Sequence, residues 1–486
     1  MKDINIFLKE KPLKMFFLGF SSGLPILLVF STLSVWLVKA GVERSTVTMF
    51  SWAGFAYAFK YLWSPLVDNY KLPFLKNFGH RKSWLLLSQL LIIVALILTA
   101  FTNPQNNLLF TALFVSFLAF FSATQDILID AFRIESAPQS QQGPLSSMYI
   151  AGYRVAMLTA GAGSLWLAAF FGSEIYDQNV WKKVYIIMSI FMLIGVFATI
   201  ISEEPKIRRS FKSDNHIKFL FTIFFAVIGF IFLYSIVNNP FNKENIILSF
   251  IFSLVRLCAC FTFAYLIINL LVITKFISKD KITKSYFNPV INFLNRYGKF
   301  AFLILILISL YRIADVVMGV MANIFYLEKG YKISEIATFS KFFGVFATIL
   351  GGFIGGYCSF KFGTMKALFF GALVAALSNL LFAWLAISPI SIDLLIAVIT
   401  ADNISSGFAG AAFVIYLSGL TSIKFTATQY ALFSSIMLFL PKLIAGYAGS
   451  WVDVMGYPYF FSLTAFLGLP VLILIIWIAK VAPIRN

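Results

Sequence analysis

Residues 108–131 read as one apolar helix long enough to cross a bilayer, yet its last turns carry Gln125, Asp126 and Asp130. An ionisable side chain at the centre of a membrane helix costs roughly 2.5–3.5 kcal/mol on insertion scales, so such residues face a protein interior, a partner or a water-filled path. Asp126 and Asp130 are four apart and share one helix face, and Arg133 follows three residues later on the same stripe. The chemistry open to such carboxylates is reversible proton binding, with loading on one side of a membrane and release on the other.

The rest of the chain fits that setting. With 60% hydrophobic residues, 12% charged residues and 57 Phe, and a mean hydropathy of +0.89, it has too little polar surface to cover a soluble globule of this length. Apolar stretches predict fourteen spans, at 13–38, 46–66, 84–102, 108–131, 145–171, 183–201, 217–237, 246–273, 300–327, 335–357, 365–388, 392–416, 427–451 and 457–480. The net charge of +18 records topology rather than nucleic-acid binding. Lys2, Lys9, Lys11 and Lys14; Lys71, Lys76, Arg81 and Lys82; Lys206, Arg208, Arg209 and Lys212; and Lys275, Lys279, Lys281 and Lys284 all fall on one side if the N-terminus is cytoplasmic. An even span count then puts both termini in the cytoplasm. The first span is too long for a signal-peptide core and lacks an A-x-A cleavage signal, so it is expected to stay as an anchor. Cys258, Cys260 and Cys358 form neither a disulfide framework nor a zinc spacing, and no cofactor or metal is expected.

The organisation reads as two six-helix bundles, 1–202 and 300–486, separated by a two-helix hairpin with its linkers at 203–299. A pair of helices is the smallest insertion that leaves the second bundle in the orientation of the first. A weak internal echo supports the duplication. After the second span come Asp68, Asn69 and Tyr70, then Gly79, His80, Arg81 and Lys82; after the tenth come Gly356, Lys361, Phe362, Gly363 and Lys366, with Phe360 where an Asp would stand. Both loops resemble the motif between the second and third helices of each half in the major facilitator superfamily, which implies a cytoplasmic gate at Asp68, Gly79, Arg81 and Lys82.

A narrower resemblance runs through the first half: Phe20-Ser21-Ser22-Gly23-Leu24-Pro25, Thr32-Leu33, Trp36-Leu37, Lys60, Trp63-Ser64-Pro65-Leu66, Trp84, Ala123-Thr124-Gln125-Asp126, Asp130-Ala131 and Gly152-Tyr153-Arg154. These segments resemble the AmpG-type muropeptide permeases, a branch that includes acetyl-CoA transporter relatives. The resemblance implies a monomeric permease of the bacterial inner membrane that imports anhydro-muropeptides, a small sugar-peptide substrate, with the proton as coupling ion. Another solute, such as acetyl-CoA, a peptide or a sugar, is the alternative, and a membrane-embedded transferase a more distant one.

Depth narrows the candidate site. Counting 1.5 Å per residue, Lys60 and Asp126 both sit roughly 8–9 Å above the cytoplasmic boundary and are expected to pair, while Arg154 lies near the midplane. Asp126 or Asp130 is expected to carry the proton, with Arg154 as the competing cation. In the second half Arg312 and Asp315, three apart, join Asp402 and Lys442 in a second balanced set, and Arg312 and Lys442 are expected to attract substrate carboxylates. Gln125, Tyr153, Trp36 and Trp63 complete the candidates, the aromatic rings as faces for sugars. The small residues of span ten (Gly351, Gly355, Gly352, Gly356) and of span five (Gly161, Gly163) read as close-packing sites.

Overall fold

The computed structural model describes residues 7–42, 50–72, 78–172, 176–205, 207, 216–238, 240, 246–331, 335, 339, 342–445 and 447–481. Lys2, Lys76, Lys206, Arg208, Arg209 and Lys212 lie outside them. In lipid every backbone N–H and C=O must be satisfied by protein, which leaves helices or closed barrels, and apolar runs of about twenty residues fit helices. Accordingly, the described residues are helical with no strand.

The first half comprises α1 (Glu10–Val29), α2 (Ser31–Lys39), α3 (Phe55–Phe59), α4 (Ser64–Asn69), α5 (His80–Ala100), α6 (Leu108–Ser136), α7 (Gln142–Leu158), α8 (Ser164–Phe170) and α9 (Gln178–Ile201). Then come α10 (His216–Ile236), α11 (Ile246–Ile273), α12 (Lys279–Ile282) and α13 (Asn288–Tyr297). The remainder is α14 (Ala301–Leu310), α15 (Ile313–Lys329), α16 (Gly344–Phe362), α17 (Thr364–Ile387), α18 (Ile392–Leu420), α19 (Thr426–Ala445), α20 (Ala448–Phe466) and α21 (Leu469–Val481).

Among the described residues, 11 helical runs are long and apolar enough to cross a membrane. The other three expected spans do not meet that measure, and the count of fourteen is not reached among the described residues. The second is interrupted between α3 and α4 by a 3-10 turn at Lys60–Leu62. The fifth passes through a π-helical turn, Thr159–Gly163, between α7 and α8. The seventh keeps a shorter apolar stretch, Phe221–Ile236. Helix α5 begins at His80 rather than near 84 because Glu204 accepts hydrogen bonds from the backbone N–H groups of Arg81 (2.8 Å) and Lys82 (3.0 Å), so its charged first turn is satisfied by protein.

Two buried apolar cores divide the helices. One joins Phe20, Leu33, Trp36, Ile92, Val115 and Trp181; the other joins Leu307, Val317, Phe382, Phe413, Tyr416 and Phe461. Small residues bring helices of the two together: Ser147 Oγ of α7 donates to Gly352 O of α16 at 3.0 Å, and a Cβ on Gly356 would meet Gly143 O at 3.0 Å. Gly351 and Gly355 turn the opposite way, onto the backbone of Ile404 and Phe408 in α18. The two overlapping small-residue pairs on α16 thus serve two different neighbours. Helices α10 and α11 stand outside both cores, with Val255, Leu266, Leu270 and Ile273 exposed. Their inner face reaches the line where the halves meet, through ring contacts of Phe230 and Phe261 with Phe59 of α3 and of Phe261 with Phe439 of α19.

Candidate functional site: buried charges along the seam

Pro25 lacks an N–H, so the carbonyl four residues back, at Ser21, loses its helical partner. Gln125 Nε2 of α6 replaces it at 2.8 Å, while Ser21 Oγ donates to Gln125 Oε1 at 2.7 Å. One residue further along both helices, Ser22 Oγ donates to Asp126 Oδ1 at 2.5 Å and lies 3.2 Å from the Tyr149 hydroxyl. Gln125 is therefore a fully buried tie between α1 and α6 rather than a cavity group. It holds Asp126 in place by fixing the register of the two helices.

Asp130 sits one turn on, where the halves touch. Arg133 Nη2 is 3.4 Å from its Oδ1, and the Tyr430 ring of α19 lies beside the same group. Arg133 itself has no exposed surface. It also donates to Gln142 (3.1 Å), Ser146 (2.9 Å) and Ser418 Oγ of α18 (2.9 Å), between the rings of Tyr149 and Tyr430. Lys60, in the 3-10 break of the second span, is buried and close enough to be felt by Asp126 and Asp130. It reaches ion-pair contact with neither, so the expected Lys60–Asp126 pair is a through-space interaction.

Asp68, Gly79, Arg81 and Lys82, expected from the sequence to form a cytoplasmic gate, lie in a closed network. Arg81 Nη2 lies 2.6 Å from Asp68 Oδ1 and 2.7 Å from Glu135 Oε1, with all three side chains shut off from solvent. Asp68 reaches across the seam to the N-terminus of α19, accepting from the backbone N–H groups of Ala427 (3.2 Å) and Thr428 (2.8 Å) and from Thr428 Oγ1 (2.7 Å). A carboxylate at a helix N-terminus satisfies orphan N–H groups and meets the positive end of the dipole. Gly79 turns the chain with φ +92, and a Cβ there would meet Glu204 Oε2 at 2.8 Å. Lys82 Nζ caps Ile200 O at 2.9 Å. With Arg133–Ser418 and the Gln139 Nε2 bond to Ile415 O (3.1 Å), these bonds clamp the halves together at the end where α6 gives way to α7.

The second half is looser. Arg312 Nε is 3.2 Å from Asp315 Oδ2, but that oxygen has no hydrogen-bond partner among the described residues. Arg312 also reaches Ser406 Oγ at 3.4 Å, and Asp402 is close enough to feel both Arg312 and Asp315. Across the seam, Arg154 of α7 is near enough to Arg312 to repel it, and its guanidinium contacts Met157 Sδ at 3.7 Å. It forms no ion pair with any described residue. Two cations from opposite halves thus lie within electrostatic range of one another.

Several expectations are corrected. Arg154 does not compete for Asp126 or Asp130; that position belongs to Arg133 and, at longer range, Lys60. Lys442 does not join Arg312 and Asp402: it is exposed on α19 and lines a cleft against α10 and α11, because the turn of α19 that carries it faces the inserted hairpin. Trp36 is wholly buried and stacked on Trp181, 5.8 Å between centroids. Trp63 packs on Phe120 and donates to Thr124 Oγ1 at 3.0 Å. Both rings are spent on packing, whereas Tyr153, half-buried, lies beside Asp126 and Arg154. The sequence reading named the i+3 relation of Arg133 to Asp130 without placing Arg133 in the site. Ser22, Tyr149, Glu135 and Tyr430 had no local signal, since their partners are distant in the chain.

A helical membrane protein of two cores joined along a charged seam is the architecture of a transporter, and comparison with known proteins agrees. The sequence matches the Major Facilitator Superfamily over residues 15–446, and the chain belongs to that superfamily. Within it, the chain is 32% identical to a Rickettsia conorii protein that carries the AmpG 4 transporter name, over 98% of this chain and 99% of the relative. It is 27% identical to the anhydromuropeptide permease of Escherichia coli strain K12, over 97% of this chain and 80% of the relative. The fold is shared with the transporter FucP in its outward conformation (TM-score 0.63, 10% identity, 97% and 99% covered) and with the proton:xylose symporter XylE (TM-score 0.59, 12% identity, 99% and 96% covered).

Proposed function

We propose that this transporter imports anhydro-muropeptides together with protons across the bacterial inner membrane, by alternating access between two six-helix bundles, 1–202 and 300–486. What supports the substrate class is the electrostatic proximity of Arg154 and Arg312 from opposite halves, a repulsion that an anionic solute would relieve. A stem-peptide carboxylate placed between them contacts both halves at once, so binding and closure are linked. Tyr153 offers an aromatic face beside Arg154. The proton is assigned to Asp126 or Asp130, which lie on the same side of the seam and within reach of the clamp. Protonating Asp130 weakens its hold on Arg133, and Arg133 holds Ser418 of the second half. Proton loading and release of the clamp are in this way the same event.

The driving force suffices: one charge moved through ~150 mV is worth roughly 3.5 kcal/mol, near 300-fold accumulation. Uptake of a labelled anhydro-muropeptide into proteoliposomes, with and without an inward proton gradient, tests the reading. Gradient-dependent accumulation of chemically intact label is expected. No uptake by folded protein, with uptake of acetyl-CoA, a peptide or a free sugar instead, reassigns the substrate. Arg154→Gln and Arg312→Gln are each expected to weaken substrate binding roughly ten-fold, the value of one charge-assisted contact.

A further inference from the structure

Arg256 of α11 and Lys442 of α19 are cations that the transport site does not use. They line one cleft of about 310 Å³ together with Tyr234, Ser253 and Tyr447, and among the described residues no carboxylate lines it. Arg256 begins ten residues into α11, yet its side chain runs back towards the membrane edge: Nη2 donates to Tyr234 O in the last turn of α10, and the guanidinium lies over the Tyr234 ring, 3.7 Å from the centroid. Lys442 occupies the last turn of α19. Both charges are therefore held level with helix ends, where long cationic side chains reach towards the headgroup zone.

Two helix C-termini account for only part of this charge. Each supplies about half a negative charge, so the ends of α10 and α19 together offset roughly one of the two cations. A net positive charge is left in a cleft whose other polar groups are hydroxyls. Among the described residues Arg256 Nε, shut off from solvent, has no hydrogen-bond partner, and neither Arg256 nor Lys442 has an ion-pair partner. The outer face of α11 beside the cleft, at Ile251 and Val255, is exposed apolar surface.

We propose that this cleft binds a phosphate oxyanion, held between the Arg256 guanidinium and the Lys442 ammonium, and that its source is the headgroup of an anionic phospholipid whose chains lie along α11. A lipid seated there bridges the inserted hairpin and α19, beside the line where Phe261 touches both Phe59 and Phe439. It fastens the hairpin over the seam between the halves.

Purified full-length protein, stripped of lipid in detergent, is offered phosphatidylglycerol in mixed micelles or inorganic phosphate alone, and bound ligand is read by native mass spectrometry. Retention of phosphatidylglycerol is expected, weakened roughly ten-fold by Lys442→Gln or Arg256→Gln and roughly a hundred-fold by both together. Inorganic phosphate at the same concentration is expected to bind more weakly and to be lost in the same variants. Tighter binding of inorganic phosphate than of the lipid overturns the headgroup as the source. Equal retention of both probes by the native chain and the double variant, or retention of neither, overturns the site itself. Lys442 is exposed, so Lys442→Gln alone decides the matter should the double variant fail to fold.

Discussion

In the first half, the loop after the second span ends in contact: Arg81 lies 2.6 Å from Asp68 and 2.7 Å from Glu135, and Asp68 caps a helix of the other half. In the second half the corresponding loop keeps the backbone and lacks the charge. Gly363 turns the chain with φ +91, against +92 at Gly79, each immediately before a helix, but Phe360 is exposed where the acid would be. Duplication has preserved the turn that the backbone needs in both copies, while the ionic lock survives in one. The deeper charges follow the same division. Asp126 and Asp130 each have a donor in contact, whereas Asp315 is met off-axis by Arg312 and Asp402 is met at a distance. Under the proposed alternating access, a one-sided lock has a mechanical consequence: the first half is expected to let go of α19 when the clamped end opens.

The largest effect expected from this difference is at Arg81. Arg81→Ala leaves two buried carboxylates facing each other and is expected to cost about 3–5 kcal/mol, read as a lower unfolding temperature in detergent. Phe360→Ala, at an exposed position of the other copy, is expected to stay within about 1 kcal/mol. Equal losses would remove the distinction between the two loops. Next come the glycines. Gly79→Ala and Gly363→Ala both force a side chain into a backbone region that only glycine adopts freely, at about 1–3 kcal/mol. Gly79→Ala must in addition displace Glu204 from the start of α5 and is expected to be the worse of the two in the same assay; a Cβ on Gly363 meets nothing within 4 Å. The smallest effect is at Lys60. A double-mutant cycle of Lys60→Ala and Asp126→Asn is expected to give a coupling below about 1 kcal/mol, as for charges that are near but not in contact. A coupling of several kcal/mol would require a closed ion pair.

Much of this was legible in the chain itself. Most of the spans follow from apolar runs, the membrane setting from composition, and the charged turn from Asp68, Gly79, Arg81 and Lys82 at a recognisable spacing. Gln125, Asp126 and Asp130 announced a buried polar face because nothing else explains them in lipid. The partners of those residues were not legible. Ser22 meets Asp126 because of the register of α1 against α6, Glu135 meets Arg81 across two helices, and Tyr430 meets Asp130 from the other half of the protein. Periodicity places a residue on a face of its own helix and is silent on which helix lies opposite. That is why Lys442, plausible by depth as a partner of Arg312, faces the hairpin, and why Trp36 and Trp63 are packed into the interior.

In the function proposed above, a first-half carboxylate couples the proton to the solute while Arg154 and Arg312 hold the solute at the seam. Asp126→Asn in proteoliposomes separates the two tasks when uphill uptake of labelled anhydro-muropeptide is measured beside gradient-free exchange of the same label. The account predicts loss of uphill accumulation with exchange retained; full uphill uptake by a folded Asp126→Asn protein would contradict it.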